Sequence, residues 1–220
     1  MSLDIFTIGH STQPIDKFIE KLRDHGISAI ADVRSIPFSR HNPQFNKDEL
    51  RKVLKRNGIL YAFLGNELGA RTQDECCYID DKVKYELLAK TELFKAGIAR
   101  VLEGAQKYKI ALMCAEKDPI ECHRAILVAR ELVREGCNVH HILGDGALES
   151  QEATLSRLVR KLEQEHARDL FRPGLLSTDE AYETQGRRIA YSRSAHRDRS
   201  KDHPFLHEEQ HFSHGKSDGK

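Results

Sequence analysis

Short β-rich runs alternate along this chain with segments whose apolar residues recur at helical spacing. Residues 5–8 form the first such run and stop at Gly9. Apolar residues then follow the i, i+3, i+4, i+7 pattern of one helix face over residues 15–22, and Gly26 is placed to end that helix. Residues 27–33 read as the next strand. A strand–helix–strand unit joins parallel strands through a right-handed crossover, so this alternation predicts a parallel sheet covered by helices.

The alternation continues to about residue 162. Residues 110–114 are continuously apolar, as expected of a central parallel strand that is covered on both faces. The segment 65–81 has no clean period and is predicted to be an irregular insertion. We predict an α/β fold: a three-layer sandwich with a mainly parallel central sheet, Rossmann-like in arrangement. The other expected elements are strands at 60–64 and 139–143, a helix with a capping box at Asn46 and Glu49 ending at Gly58, helical structure around 87–108, a helix capped by Asp118 and Pro119 ending at Gly136, and a helix over 155–162.

Composition changes near residue 187, where large apolar residues become rare. We predict a single α/β domain over residues 1–166, a C-terminal extension over 167–191 that packs on or beside it, and a disordered polar tail over 192–220. The tail is rich in histidine, but a solvated segment is more common than a specific metal site in such a sequence. Its histidines are His196, His203, His207, His211 and His214.

Charge and cysteine content limit the class of protein. The chain of 220 residues has 35 Lys and Arg against 34 Asp and Glu, so any anion site must be local. It shows no apolar stretch long enough for a membrane helix and no secretory signal. Five cysteines, two of them adjacent, favour reduced thiols over a disulfide framework. We therefore expect a cytoplasmic protein without a membrane partner, while any cofactor and the oligomeric state stay open.

Reactive residues follow three of the predicted strands. His10 and Ser11 follow the first strand, Asp32 and Arg34 end the second, and Cys114 ends the apolar strand. Ligands of parallel α/β sheets bind outside the carboxyl ends of the strands. We therefore expect these residues to share one crevice.

The segment from Cys114 to Arg124 gives the most specific indication of an anion-binding site. A capped helix start near Asp118 offers unpaired N–H groups, and His123 and Arg124 add positive charge. Arg34 and Arg40 could add planar donors, so phosphate is the expected anion. The structural alternative is that Cys122 packs, His123 contacts a neighbour and Arg124 pairs with Glu121 or Asp118.

Cys114 itself has two interpretations. A thiol beside a positive helix terminus has a lowered pKa and acts as a nucleophile, whereas a buried thiol behaves as a small apolar group. The cysteine loop and Asp32-Val33-Arg34 look like a rhodanese or a cysteine phosphatase. Those families, however, place the arginine closer to the cysteine than Arg124 is to Cys114.

A metal enzyme is a further alternative. His10, Asp32, Cys114, Cys122 and His123 offer nitrogen, oxygen and sulfur ligands, although their spacing fits no zinc-knuckle pattern. Glu116 suits a general acid or base in either kind of enzyme, but a surface ion pair is its commonest role.

A non-catalytic nucleic-acid or nucleotide-binding module is the competing class. Several basic residues near the second helix could form a basic face, although lysine and arginine on a helix surface usually serve solubility. These residues are Arg34, Arg40, His41, Arg51, Lys52, Lys55 and Arg56.

Ordered motifs in this sequence resemble the domain of unknown function 488 family. They span residues 5 to about 145, and residues 185–191 look like the family's closing segment. The resemblance implies a compact α/β domain and no particular reaction. The motifs are Thr7-Ile8-Gly9-His10-Ser11, Asp32-Val33-Arg34 with Pro37, Ser39, Arg40, Phe45 and Asn46, then Leu68-Gly69, and Cys114-Ala115-Glu116 with Pro119 and Cys122-His123-Arg124.

Together these patterns predict a strand-end pocket for a phosphate-bearing small molecule or a nucleic acid, with catalysis as an open question. Cys114, Glu116, His123 and Asp32 are the expected catalytic residues, and no metal ligand is assigned. The expected ligand-binding residues are His10, Ser11, Arg34, Ser39, Arg40 and Arg124. Substituting Arg34 or Arg124 is expected to weaken binding without lowering the thermal midpoint, and the pKa of Cys114 is expected below that of a free thiol.

Overall fold

A computed structural model of the chain describes residues 2–166 and 176–194. Eight strands and eight α-helices lie in these ranges. The strands are β1 (Asp4–Gly9), β2 (Ala29–Asp32), β3 (Leu60–Phe63), β4 (Tyr78–Ile79), β5 (Lys82–Val83), β6 (Ile110–Cys114), β7 (Asn138–Ile142) and β8 (Leu148–Ser150). The helices are α1 (Ile15–Asp24), α2 (Lys47–Arg56), α3 (Gly65–Leu68), α4 (Tyr85–Leu88), α5 (Glu92–Ala105), α6 (Arg130–Arg134), α7 (Gln151–His166) and α8 (Thr178–Ile189).

Six strands form the central sheet in the order β3-β2-β6-β1-β7-β8. All neighbouring pairs are parallel except β7 and β8, which are antiparallel. Every residue of β6 is buried, as its apolar sequence predicts for a strand in the interior of the sheet. The predicted three-layer, mainly parallel arrangement is confirmed.

The two faces of the sheet pack against different helices. On one face, Ile8 and Met113 pack with apolar residues of α1 and α2. On the other face, Leu112 and Cys114 pack with residues of α5, α6 and α7. Because strand side chains alternate between faces, Cys114 lies on the same face as Leu112. This face carries the candidate site.

Two predicted helix starts differ from the structure. Asn46 precedes α2 but makes no side-chain cap, because its Oδ1 accepts the N–H of Ser39 over 2.7 Å. The helix expected to run from Asp118 is interrupted after a 3₁₀ turn over Pro119–Glu121. A π-helical segment, Arg124–Ala129, then continues into α6, and Gly136 with φ of 82° follows its end as predicted.

The segment 65–81, expected to be irregular, contains α3, a 3₁₀ turn and the first strand of a small hairpin, β4–β5. The last described residues lie against that hairpin, since Val83 N–H donates to Tyr191 O over 3.0 Å. Helix α8 begins with a capping box formed by Ser177 and Glu180, and Gln185 Nε2 donates to Ile120 O over 2.8 Å.

The predicted domain boundary at residue 166 stays a prediction. Residues 167–175, and residues 195–220 with the histidine-rich tail, lie outside the described residues. In the part of the chain that the structure describes, no helix is both long and apolar enough to cross a membrane.

Candidate active site

The carboxyl ends of β2, β6 and β1 lie side by side, because these strands are neighbours in the sheet. Main-chain hydrogen bonds continue beyond the strands. The N–H of His10 donates to Cys114 O over 2.9 Å, and the N–H of Ser11 donates to Ala115 O over 2.8 Å. The loops that follow these strands therefore leave the sheet at one edge.

Four side chains after β6 form a compact group, here called the thiol cluster: Cys114, Glu116, Cys122 and His123. Nδ1 of His123 lies 3.6 Å from Cys114 Sγ and 3.9 Å from Cys122 Sγ. Glu116 Oε2 lies 3.0 Å from both sulfur atoms. His123 Nε2 donates to the carbonyl oxygen of Val33 over 3.1 Å. This hydrogen bond orients the ring so that Nδ1 faces both thiols.

The helix interruption places Cys122 in the cluster. The Asp118 side chain caps the turn over Pro119–Glu121 by accepting a main-chain N–H. Cys122 then has extended backbone, with φ of −134° and ψ of 138°, and its Sγ accepts the N–H of Arg124 over 3.5 Å. In a helix that ran unbroken from Asp118, the N–H of Arg124 would donate to the main-chain carbonyl four residues earlier instead of to this sulfur.

The surroundings separate the pKa values of the two thiols. Burial by itself raises the pKa of Cys122, but its contacts with Cys114, Arg124 and His123 outweigh burial and bring the pKa well below its ordinary value. The contact with Cys122, followed by burial, raises the pKa of Cys114 well above its ordinary value. The expected low pKa at Cys114 is therefore wrong. The positive helix start acts on Cys122, because the helical segment begins after that residue.

Glu116 is exposed as a residue, but its carboxyl group turns inward to the thiols. Loss of solvent around the carboxyl group, and then the charge of Cys122, raise its pKa. Burial lowers the pKa of His123, but Cys122 and Glu116 outweigh burial and raise it above its ordinary value. The cluster therefore holds more than one arrangement of its protons within a small volume.

Arg34 lies beside the cluster and is held in one orientation. Its Nε donates to Asp32 Oδ1 over 2.9 Å, and its Nη2 donates to Asp32 Oδ2 over 2.7 Å. Its Nη1 donates to His10 Nε2 over 3.2 Å. Burial lowers the pKa of His10 to about 4, so the ring is neutral near pH 7 and can accept. Asp32 is fully buried and also accepts the hydroxyl of Tyr61 over 2.8 Å.

Arg124 lies beneath the loop that follows β6 and is fully buried. Its Nη1 donates to Glu116 O over 2.7 Å, and its Nη2 donates to Lys117 O over 3.1 Å. The loop also passes close to β1, since a Cβ added at Gly9 would lie 1.9 Å from Glu116 O. Arg124 and Gly9 together fix the path of the loop that carries Glu116.

A cavity of about 220 Å³ opens above the thiol cluster. Cys114, Glu116 and His123 line it from the cluster, and Cys122 lies behind them. The remaining wall contains two arginines, Arg34 and Arg71, two tyrosines, Tyr85 and Tyr191, and small or apolar residues, Ser35, Ile36, Ala70, Ala115 and Ile189, together with Glu121. The cavity is thus bordered by two loops at the sheet edge, by the insertion and by the end of α8.

Comparison with family models gives a match over residues 14–130 to the domain of unknown function DUF488. The chain belongs to the DUF488 family. No curated protein and no solved structure matches it. The DUF488 match contains the whole thiol cluster, and it ends before α7 and α8, which begin at Gln151 and Thr178. The predicted family membership is therefore confirmed.

The residues predicted for the site in this DUF488 protein fall into three groups. Cys114, Glu116, His123 and Arg34 meet at the cavity. Asp32 and His10 lie behind Arg34, and Arg124 lies beneath the loop, so these three contact protein groups without lining the cavity. Ser11, Ser39 and Arg40 are also outside the cavity lining.

The three outlying residues have other surroundings. His10 Nδ1 donates to Ser11 O, and Ser39 Oγ accepts the N–H of Asn42 over 3.1 Å. Arg40 is exposed. The loop after β2 therefore carries two of these residues away from the thiol cluster, although they stand close to Arg34 in the sequence.

Sequence reasoning missed several residues of this DUF488 site. Cys122 was assigned to packing or to a metal alternative, and Arg71, Tyr85 and Tyr191 were not considered. Arg71 and Tyr85 come from the segment around the insertion, which lacked a clear period. The resemblance over residues 185–191 was the available signal for Tyr191.

Proposed function

We propose that this cavity is the active site of an enzyme that acts on a small ligand carrying a phosphate or similar anionic group. The observation that carries the proposal is the convergence of two thiols, an imidazole and a carboxyl group beside one cavity. Removing such groups from water is costly, so clusters of this kind are concentrated at functional sites. Cys114, Glu116 and His123 are the proposed side chains of this active site that face the ligand, because they border the cavity.

The cavity wall supports an anionic group on the ligand. Arg71 is exposed and lies over the ring of Tyr191, with 4.9 Å between its guanidinium carbon and the ring centroid. Arg34 adds positive charge, but Asp32, His10 and the carbonyl oxygen of Phe45 take four of its five N–H groups, which leaves one on Nη1. Arg71 is therefore the residue placed to bind phosphate through the paired hydrogen bonds of a planar guanidinium. Arg124 and the helix start no longer support this proposal, since both serve protein groups.

Binding of inorganic phosphate and of AMP, measured by isothermal titration calorimetry, tests the ligand class. We expect saturable binding, weakened about tenfold or more by Arg71→Ala, because a charge-assisted hydrogen bond is lost. Arg56→Ala is the matched control, since Arg56 is an exposed arginine on α2 outside the cavity lining. Equal weakening by both variants, or no saturable binding of either compound, would contradict an anion site in this cavity.

A nucleic-acid-binding surface is the second candidate. The loop after β2 exposes Phe38, with 61% of its surface accessible, beside Arg40 and His41. Exposed aromatic rings next to basic side chains suit stacking of single-stranded bases. Affinity for a single-stranded oligonucleotide that falls steeply with salt and is lost in Phe38→Ala would favour this candidate.

A further inference from the structure

We propose that Cys114, Cys122 and His123 bind one divalent transition metal of the zinc class, with the fourth coordination position open to the cavity. This inference rests on the proposed active site and gives it a cofactor. Sulfur and imidazole ligands together select zinc-class metals over magnesium or calcium. The donor atoms of these three residues all lie within 4.8 Å of one another.

The distances from His123 Nδ1 to the two sulfur atoms fit a tetrahedral metal site. Bond lengths of about 2.3 Å to sulfur and about 2.0–2.1 Å to nitrogen place a sulfur and a nitrogen about 3.6 Å apart around one metal. The observed separations from His123 Nδ1 are 3.6 Å to Cys114 Sγ and 3.9 Å to Cys122 Sγ. Both nitrogen–sulfur separations therefore agree with a tetrahedral site to within about 0.3 Å.

The histidine is held as a metal ligand requires. Its Nε2 donates to Val33 O, which leaves Nδ1 turned to the thiols. Metal-bound histidines almost always donate the other ring nitrogen to a carbonyl or carboxylate, which fixes the ring and the tautomer. The N–H of Arg124 that points to Cys122 Sγ adds a similar support for one sulfur ligand.

The charge and the burial of the three ligands also agree with a metal site. The three ligands are nearly buried, with 4%, 1% and 8% of their surfaces accessible for Cys114, Cys122 and His123. Two thiolates and a divalent cation sum to zero charge, so the filled site would carry no net charge into this interior.

The placement of the cavity indicates an open site. Cys114 and His123 line the cavity while Cys122 lies behind them, so a metal held by all three faces the cavity on one side. Catalytic zinc sites commonly have three protein ligands and one exchangeable position, whereas structural sites have four protein ligands. Glu116 borders the same space, where it is placed to accept a proton from a metal-bound water.

Titration of the reduced, metal-free full chain with Co²⁺ tests the inference. We expect one equivalent to produce a thiolate-to-cobalt charge-transfer band and the strong visible bands of a tetrahedral complex. Cys114→Ser, Cys122→Ser and His123→Ala should each weaken or abolish these bands. Cys137→Ser is the matched control, because Cys137 is also a buried thiol but lies directly before β7, outside the thiol cluster. The spectrum of this variant should equal that of the wild type. Absence of the thiolate band in the wild type, or its persistence in the Cys114→Ser/Cys122→Ser double variant, would overturn the metal site.

Alkylation of the wild-type thiols tests the metal site without any substitution, in case a variant does not fold. Zn²⁺ should protect Cys114 and Cys122 from alkylation by iodoacetamide, as followed by peptide mass spectrometry, while exposed Cys76 stays reactive and Mg²⁺ gives no protection. Lack of protection by Zn²⁺ overturns the inference. Phosphate binding is measured on the metal-free chain. Phosphate binding without Co²⁺ binding rejects the metal alone, and Co²⁺ binding without phosphate binding rejects the proposed ligand alone.

Discussion

Two buried polar groups of similar size lie on the same side of the sheet, yet their proton arrangements differ. The first, here called the support network, comprises Thr7, Arg124, His141, Gln151 and Tyr182. Arg124 Nε donates to Thr7 Oγ1 over 3.3 Å, and the Thr7 hydroxyl lies 2.7 Å from His141 Nδ1. His141 Nε2 lies 2.6 Å from Gln151 Oε1, and Gln151 Nε2 donates to the Tyr182 hydroxyl.

One assignment of hydrogen atoms satisfies this whole chain of contacts. Gln151 Oε1 can only accept, so His141 Nε2 donates and its Nδ1 accepts from Thr7. Burial lowers the pKa of His141 to about 4, which agrees with a neutral ring. A network with one arrangement stabilises a unique packing and has no proton to exchange.

The thiol cluster has the opposite character. Two sulfur atoms share one carboxylate oxygen and one ring nitrogen, and several proton arrangements fit these contacts. It also borders the cavity described above, and no residue of the support network lines that cavity. The comparison teaches that neighbouring polar residues of one motif can have different roles. His123 faces the thiols at the cavity, whereas Arg124 faces main-chain carbonyl groups and supports the loop.

The largest expected effect comes from Arg124→Met, which breaks the support network. The carbonyl groups of Glu116 and Lys117 would lose their buried partner, so we expect the free energy of unfolding to fall by about 3 kcal/mol or more. Urea denaturation measures this free energy. Arg160→Met is the control, because Arg160 is an exposed arginine on α7. A loss below about 1 kcal/mol would contradict the supporting role of Arg124.

A smaller decrease in the free energy of unfolding is expected from Gly9→Ala, which places a methyl group against the loop that carries Glu116. The added methyl group meets a main-chain oxygen at 1.9 Å, so backbone must shift, and we expect a loss of about 2 kcal/mol. In Gly104→Ala the new Cβ meets the end of the Ile110 side chain at 2.9 Å, which can move. Thermal unfolding should separate the two variants. Equal midpoints would show that the loop tolerates a side chain at Gly9.

Acid should weaken the support network through His141. Its pKa in the folded chain is about 4, below the ordinary value of 6.5, so the unfolded chain binds the proton first as pH falls. The stability from neutral His141 is complete above pH 6.5 and decreases toward pH 4. We expect the wild type to lose about 2 kcal/mol more than His141→Gln between pH 8 and pH 5. His10 titrates in both chains, so parallel losses would mean that His141 is not the group responsible.

The smallest effect is expected from Glu116→Gln in the thiol cluster. The side chain contacts the two sulfur atoms and borders the cavity, and it does not join packed elements. We expect less than about 1 kcal/mol change in the free energy of unfolding by urea. A loss as large as that of Arg124→Met would show that the cluster also holds the fold together.

The sequence by itself determined the five parallel strands of the central sheet, the helices that connect most of them, and the meeting of reactive residues at the ends of three strands. These features follow from local periodicity: the apolar run ending at Cys114 specifies an interior strand, and the spacing of apolar residues before Gly26 specifies a helix. Because these strands are parallel, their carboxyl ends meet at one edge of the sheet. The same reasoning placed Arg34, Cys114, Glu116 and His123 near one another.

The tertiary structure decided which of these residues face the cavity and which lie behind it. Cys122 joins Cys114 because the helix expected from Asp118 breaks, and no periodic signal marks that break. Arg124 is turned to carbonyl groups of a loop whose path depends on contact with β1. Tyr191 comes from a segment remote in sequence. Such arrangements depend on the packing of distant elements, which the local pattern of residues does not contain.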